Sequence, residues 1–276
     1  MKKTIIAATA LSAIVAQAGN FTSYDYGSFK LHLYNSGDAM GDASYIVEGK
    51  KELVVLEVPL FKENAREFDT YVAKLGKPVV AAIADYHEGA RQNAKLYVAE
   101  GMKSFFVGPI YGGMMNGFHK QWGESIVALP DLASATEIGF GKTVKLAGVD
   151  FKFEKGASSD FPAASVLIGG DAYLTHWAPA KAHVSPLQIS SLAAIDAEIL
   201  AAKASLASGA ELFLGGHGGA ADKESVEFKI AYLENLKSLA EKFHDAETLA
   251  DAIEKAYPGL AGKSNVEGLA AALTRK

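Results

Sequence analysis

Residues Pro78–Ala94, PVVAAIADYHEGARQNA, decide how the chain is read. Val79–Ile83 is an unbroken apolar run that opens on two valines and is bounded by Pro78 and Asp85. Such a run reads as a strand buried on both faces, the kind found where a sheet is covered by further layers. It empties into a polar turn, Asp85-Tyr86-His87-Glu88-Gly89-Ala90, and the spacing beyond predicts a helix over Arg91–Glu100. A turn at a strand end can present several side chains to one point. Here it offers a carboxylate (Asp85) and an imidazole (His87), followed by Gly89 and Ala90, which carry no side-chain donor.

Working outward, β-branched or alternating runs bounded by Gly and Asp predict strands at Phe29–Tyr34, Tyr45–Val47, Leu53–Val58, Ser104–Val107, Thr143–Leu146, Val149–Phe153, Ser165–Ile168 and Glu211–Leu214. A 3.6-residue period predicts helices at Asn64–Lys74, Leu187–Ser205, Lys223–Phe243, Ala246–Ala256 and Val266–Thr274. Gly108–Gly123, GPIYGGMMNGFHKQWG, shows no clear period and reads as a surface loop. Its Met and aromatic content also suits a flexible lid over an apolar pocket. No linker, composition step or fixed-period repeat divides the chain. One domain is expected over residues 19–276, with two sheets packed face to face and helices outside.

Met1–Ala18 has the anatomy of a cleavable signal peptide: Lys2 and Lys3, the apolar Thr4–Val15, then Ala16-Gln17-Ala18 before a cut at Gly19. The apolar stretch is short of the roughly 20 residues that span a bilayer. A periplasmic or secreted protein is expected, detached from the membrane after cleavage. The 276 residues include no Cys, which excludes disulfides, thiolate ligands, a cysteine nucleophile and a lipid-modified N-terminal Cys. Without Lys2 and Lys3 the chain carries 25 basic against 32 acidic residues, a net charge of −7, with no basic cluster. That balance argues against nucleic acid and anionic membranes and leaves a small molecule as the expected partner. Gly-x-Ser-x-Gly, a phosphate loop and a dinucleotide fingerprint are all absent from the sequence.

Four segments, in order, resemble the metallo-β-lactamase-fold superfamily of metal-dependent hydrolases. Ala43–Pro59, ASYIVEGKKELVVLEVP, resembles its opening hairpin, with Glu57 where the family has Asp. The turn after Val79–Ile83 stands where the family has H-x-H-x-D-H. Val166–Asp171, VLIGGD, resembles the strand ending in Gly-Asp, and Leu212–Gly218, LFLGGHG, the strand ending in Gly-His-Gly. The resemblance covers residues 29–240. It implies an α/β fold, a four-layer αββα sandwich of the metallo-β-lactamase type, with a metal-activated water as the hydrolytic nucleophile.

The resemblance also implies roles. His87 matches a first-metal histidine, Asp85 the other first-metal position in the turn, Asp171 the bridging carboxylate and His217 a second-metal histidine. Gly89 and Ala90 replace the second-metal Asp and His, and the loop Lys155–Asp160, KGASSD, lacks the family's middle histidine. A two-metal site is therefore not expected. The remaining set, His87, Asp171 and His217 with Asp85 assisting, implies at most one divalent metal. Its oxygen-rich character favours manganese or iron(II) over zinc. Each of these side chains also has a structural reading, as a turn, cap or backbone-bonded residue, which implies no metal at all. His176 and Trp177 follow Asp171 closely enough to line the same cleft, and His119 sits within reach of it on the Met/Gly segment. His32, His183 and His244 read as structural. Two functions remain open: an exported hydrolase with an atypical, at most mononuclear site, or a catalytically inactive relative that binds a small ligand or protein in the old cleft.

Overall fold

The structure, a computed structural model, describes residues 19–86, 93–128, 132–157 and 161–275. The signal-peptide segment and His87 through Gln92 lie outside the described residues. Among those described, the first half of the chain forms a seven-stranded sheet. In it, β1 (Asn20–Asp25), β2 (Lys30–Asn35), β3 (Ala43–Glu48) and β4 (Leu53–Leu56) pair antiparallel in succession. Then β5 (Val79–Ile83), β6 (Lys95–Ala99) and β7 (Thr136–Ile138) add in parallel. The second sheet comprises β8 (Lys142–Leu146), β9 (Val149–Lys155), β10 (Ala164–Ile168), β11 (Ala172–Trp177), β12 (Leu212–His217) and β13 (Gly219–Ala221). Within it only β11 and β12 run parallel.

The sheets bury their facing sides against each other. Leu31, Leu33, Tyr45, Val47, Val54 and Leu56 meet Phe151, Phe153, Val166, Ile168, Leu174 and Leu214 in one apolar cluster. The double burial expected of Val79–Ile83 is present: Ala81 and Ile83 join this inner cluster, while Ala82 packs outward on α1 (Lys62–Lys74) with Phe68 and Val72. On the far side, α4 (Leu192–Ala207) and α5 (Lys223–Lys242) cover the second sheet, with Ala202 and Val226 against Tyr173 and Phe213. The result is the expected αββα sandwich. Ser191 and Asp222 cap these two helices by accepting from the Ala194 and Ser225 amides, and Asp245 caps α6 (Ala246–Ala256), reached after α5, in the same way.

Three expected elements are corrected. The described part of Arg91–Glu100 is β6, not a helix, because Leu96, Tyr97 and Val98 fit a half-buried sheet position better than their helical spacing suggests. Ser104–Val107 belongs to α2 (Met102–Phe106), entered through Gly101 in the left-handed region at φ 87°. The segment read as a loop or lid is helix α3 (Pro109–Trp122), with Pro109 in the first turn. Its helical face is Tyr111, Met115, Phe118 and Trp122, spaced four, three and four residues apart. Gly112, Gly113 and Gly117 hide that period in the sequence. The chain closes with α7 (Val266–Leu273), close to its expected position.

Candidate functional site

The turn after β5 is built from beneath by Glu57. This residue follows β4 with φ 53°, in the left-handed region, and its buried carboxylate accepts from the backbone amides of Asp85 at 3.0 Å and Tyr86 at 3.1 Å. The Ser44 hydroxyl donates to the Glu57 carbonyl. Glu57 thus holds the turn from the position where the resemblance placed an Asp.

Asp85 points away from solvent and across to the other sheet. It is fully buried, and its Oδ1 accepts from the Ala164 amide at 2.8 Å, at the start of β10. Burial is the dominant influence and pushes its pKa up to about 8, partly offset by the Ala164 hydrogen bond. At neutral pH the side chain is the acid, not the carboxylate.

Parallel pairing of β11 with β12 sets Trp177 opposite His217, so His176, Trp177 and His217 cluster at one end of the second sheet. The His217 ring lies 4.3 Å from Trp177 and 5.2 Å from His176, centroid to centroid. His176 stacks flat on Tyr86 at 4.6 Å, and Phe161 packs edge-on against both. Phe161 also stacks on Phe105 of α2 at 5.0 Å. A row of rings thus runs from the α2 helix across the sheet ends to His217.

His217 is fixed from the opposite side. A backbone bridge joins it to Asp42 in the loop before β3, and the Gly218 amide donates to the Gly41 carbonyl. His217 Nδ1 lies 3.1 Å from the Met40 carbonyl and 3.1 Å from Asp42 Oδ1. A carbonyl only accepts, so Nδ1 carries a proton. Behind it, the Tyr45 hydroxyl bonds to the backbone of Gly215 and Gly219, locking the Gly-Gly-His strand end.

Asp171 is elsewhere. It sits in the turn between β10 and β11, beside Gly169 and Gly170 at φ 64° and 89°. Ala172 pairs with Leu212, at the start of the strands that His217 and Trp177 end. Six residues of strand, roughly 20 Å, separate Asp171 from Trp177. Burial and the nearby Glu211 carboxylate raise its pKa. The structure therefore does not bring Asp171 together with His217. The strand that reaches the cleft is the following one, Ala172–Trp177, and its end carries His176 and Trp177. His119 is exposed on α3. His87, Gly89, Ala90 and residues 158–160 lie outside the described residues.

A metal of the family's kind needs ionised carboxylates or free imidazole nitrogens converging on one point. Burial raises the Asp85 pKa to about 8 and its Oδ1 accepts from a backbone amide, while Asp171 lies at the far end of the sheet. Among the described residues no group of three or more His, Asp or Glu side chains could hold a metal. The described residues thus form no such site, and His87, the remaining ligand that the resemblance implies, lies outside them.

Sequence reasoning did not find Asp42 or the Met40 carbonyl, which nothing in the local sequence marks. It also did not find Glu198 and Lys229, a buried ion pair at 2.6 Å between α4 and α5. The signal for that pair is a charge on the apolar face of each helix, with Ala194, Ile195 and Ala202 around Glu198 and Val226, Tyr232 and Leu233 around Lys229.

No protein-family model matches the sequence, and no curated protein matches it by sequence. Solved structures match it as a fold. A stereoselective inverting sec-alkylsulfatase from Pseudomonas sp. aligns with a TM-score of 0.58 at 15% identity, over 88% of this chain and 48% of the other. The chain thus spans about half the length of that enzyme. A metallo-β-lactamase superfamily protein from Sulfolobus tokodaii gives 0.53 at 16% identity, over 83% and 92% of the two chains. A metallo-β-lactamase family protein from Thermus thermophilus gives 0.54 at 14%, over 92% and 90%. With its two facing sheets, outer helices and strand-end cleft, the chain is a metallo-β-lactamase-fold protein.

Proposed function

We propose that this is an exported metallo-β-lactamase-fold protein that binds a small molecule at the old cleft and does not hydrolyse it. The observation that carries this reading is the replacement at the strand ends. Tyr86 and His176 stack and Trp177 lies tilted between His176 and His217, while Asp85, its pKa raised by burial to about 8, accepts from the Ala164 amide. Ring faces and a neutral acid suit recognition of a ligand and supply neither an ionised metal ligand nor an activated nucleophile. The fold is shared with hydrolases such as the alkylsulfatase, and fold alone does not transfer activity.

Mature protein purified from culture supplemented with zinc, manganese and iron is expected to carry less than about 0.1 metal ion per chain by elemental analysis. His217→Ala is expected to leave that value unchanged. One metal per chain, lost in His217→Ala, would overturn the reading in favour of a mononuclear hydrolase. Mass spectrometry of periplasmic protein is expected to find Gly19 as the first residue.

A further inference from the structure

Beyond the backbone seam that holds His217 lies a cavity of about 320 Å³, at the small end of the range for ligand sites. It opens between the Met40–Gly41 loop, the segment joining β11 to α4, and α5. Met40, the ring of Trp177, Ala178, Ala182 and Val184 give it apolar walls. Three of its polar wall residues are almost completely buried: His183 (4% exposed), Gln188 (6%) and Lys229 (7%).

Each buried polar group is tied from one side. His183 Nδ1 lies 3.0 Å from the Tyr232 hydroxyl, and burial lowers the pKa of His183, keeping it neutral. The Gln188 amide donates to Glu198 Oε2 at 3.3 Å, and Lys229 Nζ donates to the same oxygen at 2.6 Å. Glu198 therefore neutralises Lys229, and these buried groups carry no net charge. An ammonium has three N–H donors, and among the described residues Glu198 takes one of them. Trp177 has a second unmet donor: its indole N–H is buried and has no acceptor among the described residues.

Trp177 and Lys229 also line a smaller void of about 30 Å³, with Ser165, Thr175 and Ser205, large enough for a water molecule. Trp177 and Lys229 thus border both cavities. A buried donor without an acceptor is unfavourable, so an oxygen arriving there gains more than it would in water. The oxygen of an anion would also meet the Glu198 carboxylate, and a cation would meet Lys229. An uncharged acceptor takes the Lys229 hydrogen bond without repulsion from Glu198.

Resting on the binding reading above, we propose that this cavity binds a small uncharged molecule with an apolar body and a carbonyl or amide oxygen at one end. The oxygen accepts from Lys229 and Trp177, and the body lies along Met40, Ala178, Ala182 and Val184.

Calorimetric titration of the mature protein with benzamide, benzoate and benzylamine tests this. Benzamide is expected to bind saturably, one per chain, and about tenfold or more tighter than either charged analogue. Trp177→Phe keeps a ring but removes the donor, and is expected to weaken benzamide about tenfold. Lys229→Met combined with Glu198→Gln removes the second donor without stranding a buried charge, and is expected to weaken it further. Should that double variant fail to fold, Trp177→Phe alone decides. Absence of benzamide binding, tightest binding by benzoate, or binding unaffected by Trp177→Phe would overturn the assignment. Metal analysis of the same sample keeps the two readings apart. A metal-free protein that ignores benzamide sinks the cavity assignment and leaves the non-hydrolytic reading standing. Stoichiometric metal lost in His217→Ala sinks the non-hydrolytic reading.

Discussion

An alanine at position 215 is expected to leave little folded protein. Gly215 sits in β12 between Thr175 and Gly219, and a Cβ there would collide with the Ala178 amide nitrogen and the His217 carbonyl oxygen. Those two atoms are hydrogen-bonded to each other at 2.9 Å. Both belong to the backbone, so no rotamer change relieves the clash. Overpacking a core side chain costs about 1–3 kcal/mol, and a backbone collision that breaks such a bond is expected to cost about 4 kcal/mol or more. The same displacement would pull the Gly215 amide from the Tyr45 hydroxyl. Soluble yield and thermal melting check this. A variant that melts within about 3 °C of the parent would show that the strand end is looser than the structure has it. Gly113→Ala is the control: it meets open space in α3 and is expected to stabilise by up to about 1 kcal/mol.

The second large effect is a pH dependence carried by Asp85. In the folded chain its carboxyl titrates near 8, against an ordinary aspartate value of 3.8. Between those values the unfolded chain binds fewer protons than the folded one, so stability falls as pH rises. Its contribution is complete below about pH 3.8 and has been lost by about pH 8. Each unit costs about 1.4 kcal/mol, which amounts to about 4 kcal/mol between pH 4 and pH 7. Asp85→Asn keeps an oxygen for the Ala164 amide and does not titrate. Urea denaturation of both proteins at pH 4.5, 6 and 7.5 should show the variant gaining on the parent at each step. Parallel stability profiles would mean that Asp85 ionises in the folded state, and would reopen it as a metal ligand.

The sequence was most legible where two independent signals agreed. Val79–Ile83 is apolar throughout and bounded by turn residues, and it is a strand covered on both faces. Leu212–His217 ends in Gly-Gly-His and is a strand that delivers an imidazole to the cleft. The reading failed where one signal masked another. Glycines hid the Tyr111, Met115, Phe118, Trp122 face of α3, and helical spacing in residues 91–100 outweighed the sheet-forming Leu-Tyr-Val of β6. The Asp171 match failed for a subtler reason. Gly-Gly-Asp resembles a strand end, but so does a hairpin turn, and the two differ only in which neighbouring strand runs to the cleft. Only the parallel register of β11 with β12 settles that, and register is a tertiary property. Glu198 and Lys229 were missed: each is a charge on an apolar helix face, and their partnership spans 31 positions.

The glycine-rich α3 helix also has a kinetic consequence. Three interior glycines weaken it by about 1 kcal/mol each relative to alanine, and only Tyr111 and Met115 are buried. Its backbone hydrogen bonds are therefore expected to open at far lower free energy than those of the two sheets. Amide protons of residues 109–122 should exchange with solvent while β3 and β12 remain protected. Each opening would uncover Phe105, which packs edge-on against Tyr111, and with it the outer end of the ring row, as a sub-global fluctuation of the fold.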